Sequence, residues 1–249
     1  MAQQEIDGVP IWYEELGDPA GPPLVALHGG ILTFHRSFDD VLPWLSYGRR
    51  VIGIELQGHG HTPDTGRAMS IERFADDVAE LISRVADGGP VDVWGYSLGA
   101  LTATSLAVRH PATVRRLVLA ASNIRPDGYH AEITAPEQND WRLPTQEEFA
   151  VWRADYEAVA PNPAGLFPFL ERLQPVVHEL VGWTADQIRA IAAPTLLVIG
   201  DHDFVRLDHA AEMLDLFPDC RLAVLPGTRH TEIMQRTDEL RALVGPFLS

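Results

Sequence analysis

Cysteine is almost missing from this 249-residue chain, which carries only Cys220. An intrachain disulfide is therefore excluded, and a thiolate metal site has no second ligand to draw on. Positive charge is also short. Nineteen Arg and Lys face 35 Asp and Glu, for a formal net charge of -16. A chain of that sign offers no basic stripe to a nucleic-acid backbone and is repelled by an anionic membrane surface. Its acidity reads as solubility. No apolar run approaches the roughly 18 residues of a membrane span. Met1-Ala2-Gln3-Gln4-Glu5 lacks the basic and apolar regions of a signal peptide. The expectation is a cytoplasmic protein, monomer or homodimer, with no nucleic-acid or membrane partner. Internal repeats and low-complexity tracts are missing as well.

What is present is a regular alternation. At this length the chain fits one domain with an inserted subdomain. Pro10–Glu14 is the first strand candidate, and the turn-rich stretch from Gly17 to Pro22 closes it. Pro23–His28, Arg50–Glu55, Val91–Trp94, Arg116–Ala121 and Pro194–Gly200 are continuous apolar runs, as strands covered on both faces should be. Between them lie helical patterns around Phe38–Leu45, from Ile71 to Val85 and from Leu98 to Val108. In the second, Ile71, Phe74, Ala75, Val78, Leu81, Ile82 and Val85 make one apolar face, with Ser70 as N-cap and Asp87-Gly88-Gly89-Pro90 as its end. Strand and helix in alternation predict a doubly wound, mostly parallel α/β sheet. Its ligand crevice lies at the carboxyl ends of the strands, where His28, Glu55, Ser97 and Ala121-Ser122-Asn123 all fall.

The alternation breaks between Asn123 and Trp183. That stretch holds seven prolines, Pro136 among them, and is too rich in aromatics for a disordered linker. Short helices over Gln146–Val159 and Phe167–Leu173 are expected to form a cap, giving a core of residues 1–122 and 184–249 and a cap of 123–183. The sheet pattern resumes after a capping box at Thr184-Ala185-Asp186-Gln187, with a helix from Asp208 to Phe217, a strand from Arg221 to Leu225 and a closing helix from Asp238 to Phe247.

Gly95-Tyr96-Ser97-Leu98-Gly99 sits between a strand and a helix, the setting in which Gly-x-Ser-x-Gly makes a nucleophile elbow. The serine occupies a strained turn, and flanking glycines let strand and helix approach. A serine hydroxyl needs a base, and the base an acid to orient it. Gly200-Asp201-His202-Asp203 follows one later strand and Pro226-Gly227-Thr228-Arg229-His230 follows the next. Ser97 as nucleophile, His230 as base and Asp203 as orienting acid complete the set, with Asp201 as the competing acid.

With these landmarks, together with His28-Gly29-Gly30 and Gly58-His59-Gly60-His61, the chain resembles the α/β-hydrolase superfamily over nearly its full length. The C-terminal blocks are most similar to the branch of lactonases, small esterases and carbon–carbon bond hydrolases. The resemblance implies a sheet of about eight strands and favours Asp203, the last residue of Gly-x-x-Asp. It also implies an oxyanion hole from the backbone N–H groups of Leu98 and Gly30, with Ile31 as the alternative to Gly30. Ala100 replaces the glycine usual after the elbow, a mild departure.

The implied activity is serine hydrolysis of a small, fairly apolar ester or lactone, with no cofactor and no metal. Carbon–carbon hydrolysis, thioester hydrolysis, perhydrolysis and non-catalytic ligand binding are the alternatives. Substrate contacts are expected from Ile31, His35, Trp141, Trp152, Tyr156 and Phe167. Of the remaining histidines, His28 and His59 are expected to brace loops and His202 and His209 to be solvated helix-start residues. Tyr96 is expected to pack locally.

Overall fold

The computed structural model describes residues 1–86, 88–135 and 140–249. Asp87 of the expected helix end and Pro136 of the insert lie outside the described residues. Eight strands, β1 Ala2–Ile6, β2 Val9–Gly17, β3 Pro23–Leu27, β4 Arg50–Ile54, β5 Val91–Tyr96, β6 Val114–Ala120, β7 Thr195–His202 and β8 Cys220–Arg229, form one sheet in the order β1-β2-β4-β3-β5-β6-β7-β8. From β4 to β8 every pairing is parallel; β1 and β2 add an antiparallel edge. The apolar runs of β3, β4 and β5 are buried almost end to end, as strands under flanking helices must be.

The strand order reverses at β3. The chain goes one way to β4 and returns to place β5 on the other side of β3. A crevice opens outside the carboxyl ends at such a switch point. It brings the turn after β3 beside the turn after β5, and β6, β7 and β8 then present their own ends in succession.

Three local expectations need correction. β1 escaped sequence reading because Gln3-Gln4-Glu5 is polar; it is an edge strand, joined to β2 by a turn in which Asp7 and Gly8 take φ of 45° and 78°, the hairpin signature of an Asp-Gly pair. The single helix expected around Phe38–Leu45 is two short ones, Phe34–Phe38 and Leu42–Leu45, the first capped by Thr33. The helix expected over Phe167–Leu173 runs from Leu166 to His178 and passes through Pro175. Ser70 caps its helix and Thr184 closes a capping box, as their spacing predicts.

Between β6 and β7 the chain leaves the sheet. Helices Ala131–Thr134, Gln146–Val159 and Leu166–His178 lie in that insert. Its two ends meet: Trp183 N–H donates to Ile124 O at 3.0 Å. Charged pairs tie it to the body, including Arg172 with Asp64, Arg36 with Asp155, and Arg229 with Glu148. Among the described residues, no helix is long and apolar enough to cross a membrane.

Candidate active site

Ser97 stands between β5 and the helix Leu98–Arg109 with φ 52° and ψ -116°. A non-glycine residue in that region carries strain of about 1–3 kcal/mol and needs its surroundings to hold it there. They do so through hydrogen bonds on both sides. Ser97 N–H donates to Ala120 O at 2.9 Å, and Ser97 O accepts from Ala100 and Leu101 at 2.8 and 3.0 Å. The flanking glycines permit the close approach. A Cβ at Gly95 would collide with the Gly99 carbonyl, and one at Gly99 with the Leu27 carbonyl.

Two hydrogen bonds join the three expected side chains. His230 Nε2 lies 2.9 Å from Ser97 Oγ, and His230 Nδ1 lies 2.6 Å from Asp203 Oδ1. An ionised carboxylate only accepts, so Nδ1 carries the proton and Nε2 presents its lone pair to the serine hydroxyl. Asp203 is buried at 1% exposure and takes further hydrogen bonds from Gly200 and Val205 N–H. Asp201 is exposed and accepts instead from Thr228 N–H, bracing β7 against β8.

The turn expected to supply the oxyanion hole follows β3. His28 Nδ1 donates to Gly29 O at 2.8 Å and Nε2 accepts from Leu56 N–H at 3.0 Å, a pattern that requires the neutral ring. Burial keeps His28 below its ordinary value, and His59, ring to ring with it, lower still. Both brace the loops here. Glu55, fully buried, accepts from Phe34 N–H and His61 N–H. Among the described residues, neither the Gly30 nor the Leu98 N–H makes a hydrogen bond. Both residues line one chamber with Ser97.

Two chambers meet at Ser97. One, of about 190 Å³, is lined by Gly30, Leu32, Leu98, Leu101, Pro144 and Trp152 among others. The second, of about 160 Å³, is lined by Asn123, Ile133, Thr134, Leu143 and His178 among others. Ser97, Tyr129, Val177, Phe204 and His230 belong to both. Among the described residues no Asp, Glu or Arg lines either one. A larger depression, about 810 Å³, runs past Trp44, Tyr47 and Leu248 and does not reach Ser97.

Of the six side chains expected to touch substrate, the structure brings one to Ser97, Trp152. Ile31 is buried with φ 64°, outside both chambers. His35 is taken up by Asp39 and Glu14 at 2.7 and 2.8 Å. Trp141 stands 58% exposed, edge-on to His202 and beneath Arg142. Tyr156 is buried in a stack on Phe169, and Phe167 faces outward beneath Arg153. His209 also departs from expectation. It is 2% exposed, and its Nε2 accepts from Ile124 N–H where the insert begins.

Phe204 and Glu148 were not singled out by the sequence. The Phe204 ring lies parallel to the His230 imidazole, centroids 3.9 Å apart. Its position directly after Asp203 was the available signal. Glu148 accepts from Thr231 Oγ1 at 2.8 Å and Arg229 Nη2 at 2.9 Å, the residues on either side of His230. Partial burial pushes the Glu148 carboxyl up, but hydrogen bonds from Thr145, Thr231 and Arg229 outweigh it and hold it below the usual range. Tyr96 does more than pack locally: its hydroxyl donates to His230 O at 2.9 Å. Burial, with the Asp203 charge, keeps the Tyr96 and Tyr129 hydroxyls protonated far above their ordinary range.

Residues 22–236 match the family model described as "Serine aminopeptidase, S33". A pimeloyl-[acyl-carrier protein] methyl ester esterase of Neisseria meningitidis is 39% identical over 241 residues, covering 89% of this chain and 91% of that one. Among solved structures, the meta-cleavage product hydrolase from Pseudomonas fluorescens IP01 superposes with a TM-score of 0.81 at 20% identity, covering 97% of this chain and 94% of that one. Est816, described as an N-acyl homoserine lactone degrading enzyme, superposes with a TM-score of 0.74 at 24% identity, covering 98% and 99%.

Proposed function

Because the chain belongs to the serine aminopeptidase S33 family of the α/β-hydrolase superfamily, and is an esterase-type hydrolase, we propose that it cleaves a small, fairly apolar carboxylic ester or lactone through an acyl-enzyme on Ser97, with residues 123–183 as the cap over the site. The observation that carries this reading is the unbroken chain from Asp203 through His230 to Ser97, in a chamber that also holds the unpaired N–H groups of Gly30 and Leu98.

His230 Nε2 takes the Ser97 proton as Oγ attacks the carbonyl. The tetrahedral oxyanion lies against the Gly30 and Leu98 N–H groups, each donor of this kind being worth roughly 100- to 1000-fold in rate. His230 then protonates the departing alkoxide, activates water in the same way and releases the acid. Asp203 holds the imidazole in the required tautomer throughout and stabilises the imidazolium.

The chamber linings support a neutral substrate. A peptide with a free amino terminus brings an ammonium that needs a carboxylate partner once desolvated, and among the described residues neither chamber offers one. Methyl esters are the first series to assay, since the Neisseria relative is named for one. On methyl hexanoate, Ser97→Ala is expected to lower kcat by about a million-fold. Turnover within tenfold of the wild type contradicts the reading.

A further inference from the structure

We propose that Asn123 selects the substrate: its Oδ1 accepts a hydrogen bond from a hydroxyl or amide N–H carried by the ester, so that the enzyme prefers esters bearing such a donor. The inference rests on Ser97 being the nucleophile.

Asn123 stands just beyond β6, in the second chamber with Ser97 and His230. The backbone that delivers it is constrained on both sides. Ala121 takes φ 57° while its N–H donates to Val198 O at 2.8 Å. Ile124 donates to His209 Nε2 and accepts from Trp183 N–H. The amide itself has one orientation, because Nδ2 donates to Arg125 O at 2.6 Å. The remaining polar atom is therefore the acceptor, and it has no partner among the described residues although Asn123 is 1% exposed.

Buried side-chain oxygens are nearly always hydrogen-bonded, and an exception calls for a reason. Trp44 Nε1, His59 Nε2, Trp94 Nε1 and Ser105 Oγ are also unpartnered, but they lie outside both chambers. Among the described residues, only at Asn123 does the unmet group belong to a side chain that lines the space where substrate must sit. Tyr129, Thr134 and His178 share that chamber, and none bonds to it. A substrate that fills the chamber must supply the donor itself, or leave the oxygen bare. The first chamber, lined by Leu32, Leu101 and Trp152, suits the apolar remainder of the molecule.

The test uses matched esters that differ by one hydroxyl. Methyl 3-hydroxyhexanoate and methyl 6-hydroxyhexanoate are compared with methyl hexanoate, and 2-hydroxyethyl hexanoate with ethyl hexanoate, so that the donor is presented from the acyl side and the alcohol side. In at least one pair the wild-type enzyme is expected to favour the hydroxyl ester by about tenfold or more in kcat/KM. Asn123→Leu should abolish that preference, so that the two esters of the pair are turned over with equal kcat/KM. No preference in any pair with wild-type enzyme overturns the proposal without recourse to a variant. So does an Asn123→Leu protein that loses both esters of a pair equally, the result expected of a merely structural asparagine. Full activity in Ser97→Ala would overturn the underlying reading instead, and the two failures are distinct.

Discussion

Ser97 and Trp152 line the same chamber, but different physics holds each in place. Ser97 is fixed by backbone. Its turn is clamped by hydrogen bonds from β6 and from the following helix, and glycines at 95 and 99 bring the strand and helix to contact distance. The half of the site built on strand ends is therefore as rigid as the sheet. Trp152 belongs to a helix of the insert that is exposed over most of its length, with Tyr156 its one buried residue. That helix is held by side-chain links: Glu148 to Thr231 and Arg229, and Arg36 to Asp155. Such pairs near the surface are individually weak, typically about 0–1 kcal/mol. On the proposed function this sets a chemical half, where a Cβ added at Gly95 or Gly99 would overlap backbone, against a selecting half held by such links.

Substitutions in each half test that division. The largest effect is expected at Gly99. Gly99→Ala places a Cβ against the Leu27 backbone, where no rotamer relieves the overlap, so the protein should fail to reach its native state in circular dichroism and thermal melting. A well-folded, active Gly99→Ala variant would show that the elbow is as pliable as the insert. A smaller effect is expected at the link between the halves. Glu148→Gln removes the charge that Arg229 and Thr231 share beside His230. It should lower kcat by up to about tenfold through looser placement of the imidazole, with KM for methyl hexanoate little changed and stability reduced by about 1 kcal/mol. An effect confined to KM would place Glu148 with the selecting half alone.

The smallest effect concerns pH at the root of the insert. Burial, helped by the nearby Arg125 charge, holds His209 below its ordinary value of 6.5, and its neutral Nε2 accepts from Ile124 N–H. The unfolded chain therefore binds the proton more readily than the fold. The stability His209 contributes is complete above about pH 6.5 and declines as pH falls below it. Between about pH 7.5 and about pH 5.5 the wild type should lose about 2–4 °C more in Tm than His209→Asn does. Equal losses would remove His209 from the account.

The same division explains what was legible in the sequence. Ser97, Asp203 and His230 stand directly after apolar runs, and a strand end carries its next residues to a predictable place. Their meeting could be read without coordinates. The sheet was legible for the same reason, apart from β1, whose polar residues hide an edge strand behind an Asp-Gly turn. The side chains that line the two chambers were not legible. Residues of the insert are aimed by tertiary packing, and aromatic character alone does not separate Trp152, which reaches Ser97, from Trp141 and Phe167, which lie under arginines at the surface. Val177, Tyr129 and Leu143 reach the chambers without any pattern in the sequence to single them out. Asn123 was visible as a strand-end residue, but its unmet Oδ1 depends on the placement of Arg125 O.

The central claim is that Ser97 is the nucleophile, activated by His230. Its most direct test is intact-protein mass spectrometry after treatment with a small fluorophosphonate, followed by peptide mapping. The account predicts a single adduct on Ser97, formed rapidly by the wild type and absent from His230→Ala over the same period. An unlabelled Ser97, or equal labelling with and without His230, would contradict it.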